Sequence, residues 1–187
     1  MHYLHKILVF IPYVIESCGE ISNKSDLMNE IRVYAECETE PYYTMAFDWR
    51  ETQTAGRWEN EYPENVLLAE DNVQKFVDEL KTTMTNQKSY IDNSLAKLKE
   101  TAGTDLEKIV KKFWESDRYS FNEDEDLKIE TSILNLRNII CMLDGAYTSD
   151  SGFYNTYNRT ARIYPSDIRI VEHYPEDWAL VMFDYHD

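Results

Sequence analysis

Trp178-Ala179-Leu180-Val181-Met182-Phe183-Asp184-Tyr185 is the stretch on which the fold turns. It is short, apolar and rich in aromatic residues, interrupted by a single aspartate. Such a run reads as a buried strand rather than a helix. Leu4-His5-Lys6-Ile7-Leu8-Val9-Phe10-Ile11 has the same character, and Pro12 ends it. Strand-forming sequence therefore stands at both ends of the chain.

The segments between them change period. Ser22 to Ser25 offer helix caps, and Leu27, Met28, Ile31, Tyr34 and Ala35 follow at helical spacing, so a helix is expected near 26–38. Tyr42 to Trp49 is aromatic and strand-like, residues 50–64 read as a polar connection, and Asn65 to Ala69 as a short strand. Asp71 or Asn72 then caps a long helix. Its stripe is Val73, Val77, Leu80, Met84, Gln87, Ile91 and Leu98, and Gly103 is suited to end it. A second helix is expected from Thr104 or Asp105, and a third carries Leu127 to Leu143 after an acidic run. Gly152 to Ile163 reads as a strand, and Pro165 opens a short helix. The expected fold is α+β, in one domain over residues 1–187. Strands lie mainly within 4–69 and 152–186, with a helical insert at about 72–145. They form a small mixed or antiparallel sheet, with a central helical hairpin inserted or packed on one face. Regular β-α alternation, which a doubly wound sheet needs, is absent.

Charge narrows function. The chain carries 35 acids against 19 bases, a formal −16. Residues 16–70 hold 13 acids and 4 bases, whereas residues 72–114 hold 6 acids and 8 bases. Such a chain repels nucleic acid and anionic membranes and attracts cationic protein surfaces. Aromatic content of 13%, including 14 Tyr and 4 Trp, sets it apart from disordered acidic tails. Cys18, Cys37 and Cys141 are odd in number and widely spaced, which predicts a reducing, cytoplasmic setting without disulfides or a zinc knuckle. The apolar run Ile7 to Ile11 is too short for a signal peptide or a membrane span.

The densest candidate site is the loop from Phe47 to Asn65. Glu51, Glu59, Glu61 and Glu64 there would meet partner cations, with Trp58 and Tyr62 as anchors. The plainer alternative makes Trp49 and Trp58 core residues, with Arg50 and Arg57 paired to nearby acids. Glu123, Asp124, Glu125 and Asp126 would either favour a helix dipole or, with Glu115 and Asp117, imitate phosphate spacing. A metal-dependent hydrolase is the alternative function: if the terminal strands pair, His5, Asp184 and His186 could converge on a metal. Glu79-Leu80-Lys81 resembles a nuclease fragment but falls in the long helix. P-loops, GxGxxG and serine-hydrolase elbows are absent. No cofactor is expected. A third reading is a homodimer with the Val73–Leu98 stripe as its seam.

The block from Phe47 to Glu70 and the ending Trp178 to His186 resemble small proteins carried by phages and mobile elements of gut Firmicutes. In size, acidity and lack of catalytic motifs the chain is similar to anti-CRISPR and antirestriction proteins. That resemblance implies an inhibitor of a CRISPR effector nuclease or another basic bacterial defence enzyme, acting in the host cytoplasm. It transfers no functional residues.

Overall fold

The computed structural model describes residues 1–103, 105–115 and 123–186. The two terminal strands, β1 (His2–Phe10) and β5 (Trp178–His186), pair antiparallel over nine residues at the centre of a mixed sheet. β4 (Phe153–Asn155) runs parallel to β1 on one side. β2 (Trp49–Glu51) and β3 (Val66–Leu68) both pair antiparallel with β5 on the other side, one beyond the other along its length. The fold is therefore α+β.

The strands are apolar on both faces because both faces are covered. Leu8, Leu180 and Met182 face α3 (Val73–Ala102) and α6 (Pro165–His173), meeting Phe76, Val77, Leu80, Ile168 and Val171. Ile7, Val9, Val181 and Phe183 face α1 (Ile11–Cys18) and α2 (Lys24–Ala46), meeting Val14, Ile31 and Ala35. The sheet is thus the middle of three layers, with α3 on one face and α1 and α2 on the other.

The helical insert lies where the periodicity places it. The Asn72 side chain accepts from Lys75 N–H at 3.0 Å to cap α3, and Gly103, at φ +78°, ends it. α4 (Leu106–Glu115) and α5 (Glu123–Asp144) follow, and α5 returns along α3. Ser132 Oγ donates to Thr101 Oγ1 at 2.8 Å, and Asn138 Nδ2 to Tyr90 Oη at 2.9 Å. The α3 stripe is occupied inside the chain, with Val77, Leu80, Gln87 and Leu98 buried. It is not a free dimer seam.

Three local expectations are corrected. Pro12 does not merely end β1; it is an early residue of α1, where a missing N–H costs nothing. Residues 42–46 continue α2 through Pro41 instead of forming a strand. There the Tyr42 ring stacks on Tyr147 at 4.9 Å, and Tyr43 lies 6.0 Å from Tyr185, so helical spacing serves the packing better than alternation. Within Gly152–Ile163 only Phe153–Asn155 is strand. Gln87, 7% exposed, holds the remainder to α3. Its Nε2 donates to Ser151 and Ala161 carbonyls at 3.0 and 2.7 Å, and its Oε1 accepts from Ile163 N–H at 3.1 Å.

No helix among the described residues is long and apolar enough to cross a membrane. Cys18 and Cys37 are exposed and unbridged, and Cys141 is half-buried and unbridged.

Candidate functional site

The loop between α2 and β3 is built from its own carboxylates and amides. Glu51 Oε1 accepts from the backbone N–H groups of Gln53 and Thr54, at 2.7 and 3.2 Å. Asn65 Nδ2 donates to Thr52 O at 2.9 Å. Gly56, at φ +54°, lies against Asp184, whose Oδ2 accepts from Arg57 N–H at 3.0 Å. Arg50 is paired with Glu36 at 3.2 Å and with Glu40, and its guanidinium covers the Tyr43 ring. Glu51 is thus committed to the turn and is not a free contact residue.

The expected anchors are also used internally. Trp58 packs against the α3 side of the core. Tyr62 is 7% exposed, and its hydroxyl donates to Glu79 Oε2 at 2.9 Å. Burial, reinforced by that hydrogen bond, pushes the Tyr62 phenol well above its ordinary value. Lys6 Nζ reaches the same oxygen at 2.7 Å from the central strand. This small network fastens the loop to β1 and α3, and it accounts for Glu79 in the Glu-Leu-Lys triplet. The exposed large aromatic of the loop is Trp49, 45% exposed.

Glu59, Glu61 and Glu64 are exposed, and none lies within ion-pair distance of a base among the described residues. They form one acidic patch near the start of α3. Glu123, Asp124, Glu125 and Asp126 form the first turn of α5, and their side chains lie outside the described residues, as does Asp117. Ser132 already meets Thr101, so that turn lies beyond the far end of α3. A 30-residue helix is about 45 Å long. The two acidic groups therefore do not make one continuous phosphate-like row.

The folded charge is nonetheless uneven. Residues 16–70, at −9, supply α2, β2 and β3, with the end of α1. Residues 72–114, at +2, supply α3 and α4. Residues 16–70 thus place an acidic excess on the α2 face and along the β2–β3 edge, while residues 115–126 and 165–187, at −5 each, carry further acid elsewhere in the chain.

Histidine converges differently from expectation. Register places His2 opposite His186, and Leu4 opposite Asp184. His2 Nδ1 lies 2.8 Å from Asp184 Oδ1, and the His2 and His186 rings are 4.8 Å apart. His186 Nδ1 lies 2.9 Å from Asp48 Oδ1. His5 is opposite Phe183 on the other face, where it stacks on Tyr185 at 4.5 Å and meets Tyr147 Oη at 3.0 Å. The expected convergence of His5 with Asp184 and His186 is therefore overturned, because strand parity separates them. Among the described residues no group of three or more His, Cys, Asp or Glu is placed to hold a metal ion.

A groove of about 980 Å³ lies along the outer edge of β3, between the first turns of α2 and α3. The Lys24–Asp71 ion pair closes part of it, and Glu61 and Glu64 line it. Arg32 also lines it, a residue that composition alone gave no reason to single out. Compared with known proteins, the chain matches no family model, no curated protein and no solved structure.

Proposed function

We propose that the protein is a non-enzymatic acidic binding protein that occupies a basic nucleic-acid-binding surface of a bacterial defence enzyme. The first candidate partner is a CRISPR effector nuclease, which makes the protein an anti-CRISPR inhibitor. The observation that carries this reading is the −9 excess of residues 16–70, with Glu59, Glu61 and Glu64 exposed there and without an ion-pair partner among the described residues. Glu16 and Glu20, also exposed, extend the acidic surface on the α1–α2 side. Surfaces that bind nucleic acid gain much of their affinity by neutralising phosphates, and fixed carboxylates compete for the same cations. Long-range attraction speeds the encounter, and salt weakens it.

The test is capture of purified effector nucleases, with and without guide RNA, at low and high salt. The expected complex dissociates as salt rises and prevents target-DNA binding. The triple variant Glu59→Lys, Glu61→Lys, Glu64→Lys melts as the parent does and loses capture. Unchanged capture by that variant would refute the acidic-patch mechanism. Failure to capture any effector would remove the CRISPR reading.

A further inference from the structure

Among the described residues β3 is an edge strand that pairs only with β5. Its hydrogen-bond phase follows from one contact: Met182 N–H donates to Asn65 O at 2.8 Å. In an antiparallel ladder, facing residues alternate between bonded and non-bonded pairs. Asn65 and Leu67 therefore direct their backbone groups to β5. Val66 turns its N–H and C=O, and Leu68 its N–H, towards the groove. None of these three groups meets a side-chain partner among the described residues. Val66 and Leu68 are only 4% and 3% exposed, so the edge is recessed between α2 and α3. A recessed strand edge with unused donors and an acceptor is a template for a further strand.

The walls narrow the choice of occupant. α2 contributes Met28 and Arg32, and α3 contributes Lys75 and Phe76. Arg32 Nη2 donates to Asn29 Oδ1, while its Nε is buried and meets no acceptor among the described residues. Neither Arg32 nor Lys75 has a carboxylate within 4.0 Å among the described residues. A second copy suits the groove poorly. Its own β3 is sunk between two helices, and two chains of −16 repel each other. A single extended segment is slender enough to reach the edge. We propose that the β3 edge binds an extended peptide segment of a partner protein as an added strand, with an aspartate or glutamate of that segment meeting Arg32. Backbone bonds to Val66 and Leu68 would supply pairing, and alternate side chains would point to the α2 and α3 walls. Glu61 and Glu64 of the acidic patch also line this groove, so the two proposals share a border, but they differ in the residues that make contact and in the sign of the partner's charge.

Amide exchange by NMR on the full chain tests the edge first. The Val66 amide should exchange faster than the Leu67 amide, which β5 protects. Equal or stronger protection of Val66 would show that the edge is already satisfied and would overturn the proposal. Concentration-dependent protection with doubled mass would assign the edge to a second copy and also overturn it. The binding probe is a displayed library of linear peptides selected on the purified protein. Enriched peptides should carry an Asp or Glu and shift the Val66 and Leu68 amide signals. Two variants should each weaken them at least about tenfold, the scale of one charge-assisted hydrogen bond. Arg32→Glu reverses the wall charge. Val66→Pro removes an outward N–H at a position where an edge strand accepts proline, and also exchanges a buried valine side chain. Both variants are to be checked by melting temperature. Enriched peptides that bind both folded variants as tightly as the parent, or no enrichment over the Val66→Pro protein, would refute the site. Because the acidic patch is intact in both variants, loss of peptide binding with retained nuclease capture separates the two proposals.

Discussion

Replacing Gln87 with leucine removes the clamp between α3 and residues 151–163 while keeping most of the side-chain volume. The parent side chain makes three hydrogen bonds, at 3.0, 2.7 and 3.1 Å, to Ser151, Ala161 and Ile163. All three partners are 2% exposed, so water cannot readily replace the lost bonds. A net hydrogen bond contributes about 1 kcal/mol, and a buried group left without a partner costs about 1–3 kcal/mol. Three orphaned groups then imply a loss of about 3–5 kcal/mol. For a chain of this size each kcal/mol lowers Tm by about 2–4 °C, so the melting temperature should fall by at least about 6 °C. Urea denaturation gives the free energy, and amide exchange at Ile163 should accelerate together with it. Gln74→Leu is the control: Gln74 lies exposed on the same helix, bonded to Asp78, and its replacement should stay within about 0.5 kcal/mol. A Gln87→Leu loss below about 1 kcal/mol would refute the clamp.

Further outcomes follow from the loop and the strand ends. Gly56→Ala should cost more than about 2 kcal/mol, because a Cβ there would lie 2.4 Å from Asp184 Oδ2 on a backbone already at φ +54°. Gly103→Ala, at φ +78° but in open space, should show only the backbone penalty of about 1 kcal/mol, and equal losses in denaturation would contradict the contact. Asp184→Ala should cost about 3 kcal/mol and speed exchange of the Arg57 amide, since Asp184, 1% exposed, accepts from His2 and Arg57. An unchanged Arg57 exchange rate would count against it. Burial raises the Asp167 carboxyl above its ordinary 3.8, opposed by the Tyr164 N–H. The native state therefore holds that proton more tightly than the unfolded chain does. Its contribution is present below 3.8 and is lost as pH rises through the elevated value. Stability of the parent relative to Asp167→Asn should fall over that window, and a pH-independent difference would reject the assignment.

Long periodic elements were legible. The α3 stripe needed no tertiary information, and Asn72 and Gly103 mark its ends with chemistry that acts within one turn. Tyr42 to Ala46 were misleading because aromatic residues suit either a strand or a helix face, and the rings of Tyr147 and Tyr185 decided between them. The aromatic and arginine-rich loop was recognised as important, but its role inverted on folding. Tyr62 is held by Glu79, Arg50 by Glu36 and Glu40, and Glu51 by its own turn. Those partners are distant in sequence or depend on backbone geometry. The β3 groove was invisible for the same reason, since its walls come from two helices with residues 47–72 between them.

Sequence by itself determined the class of fold, the long helix and the uneven charge, because periodicity, capping and charge density are local properties. Tertiary structure decided which residues meet. Two strands known to pair still admit either parity, and a shift of one residue exchanges every side chain between faces. The observed register pairs His2 with His186 and sends His5 to the opposite core. It also turns Val66 outward, because Asn65 and Met182 are the bonded pair. That phase depends on how the helices fill both faces of the sheet, a condition of the whole packed chain.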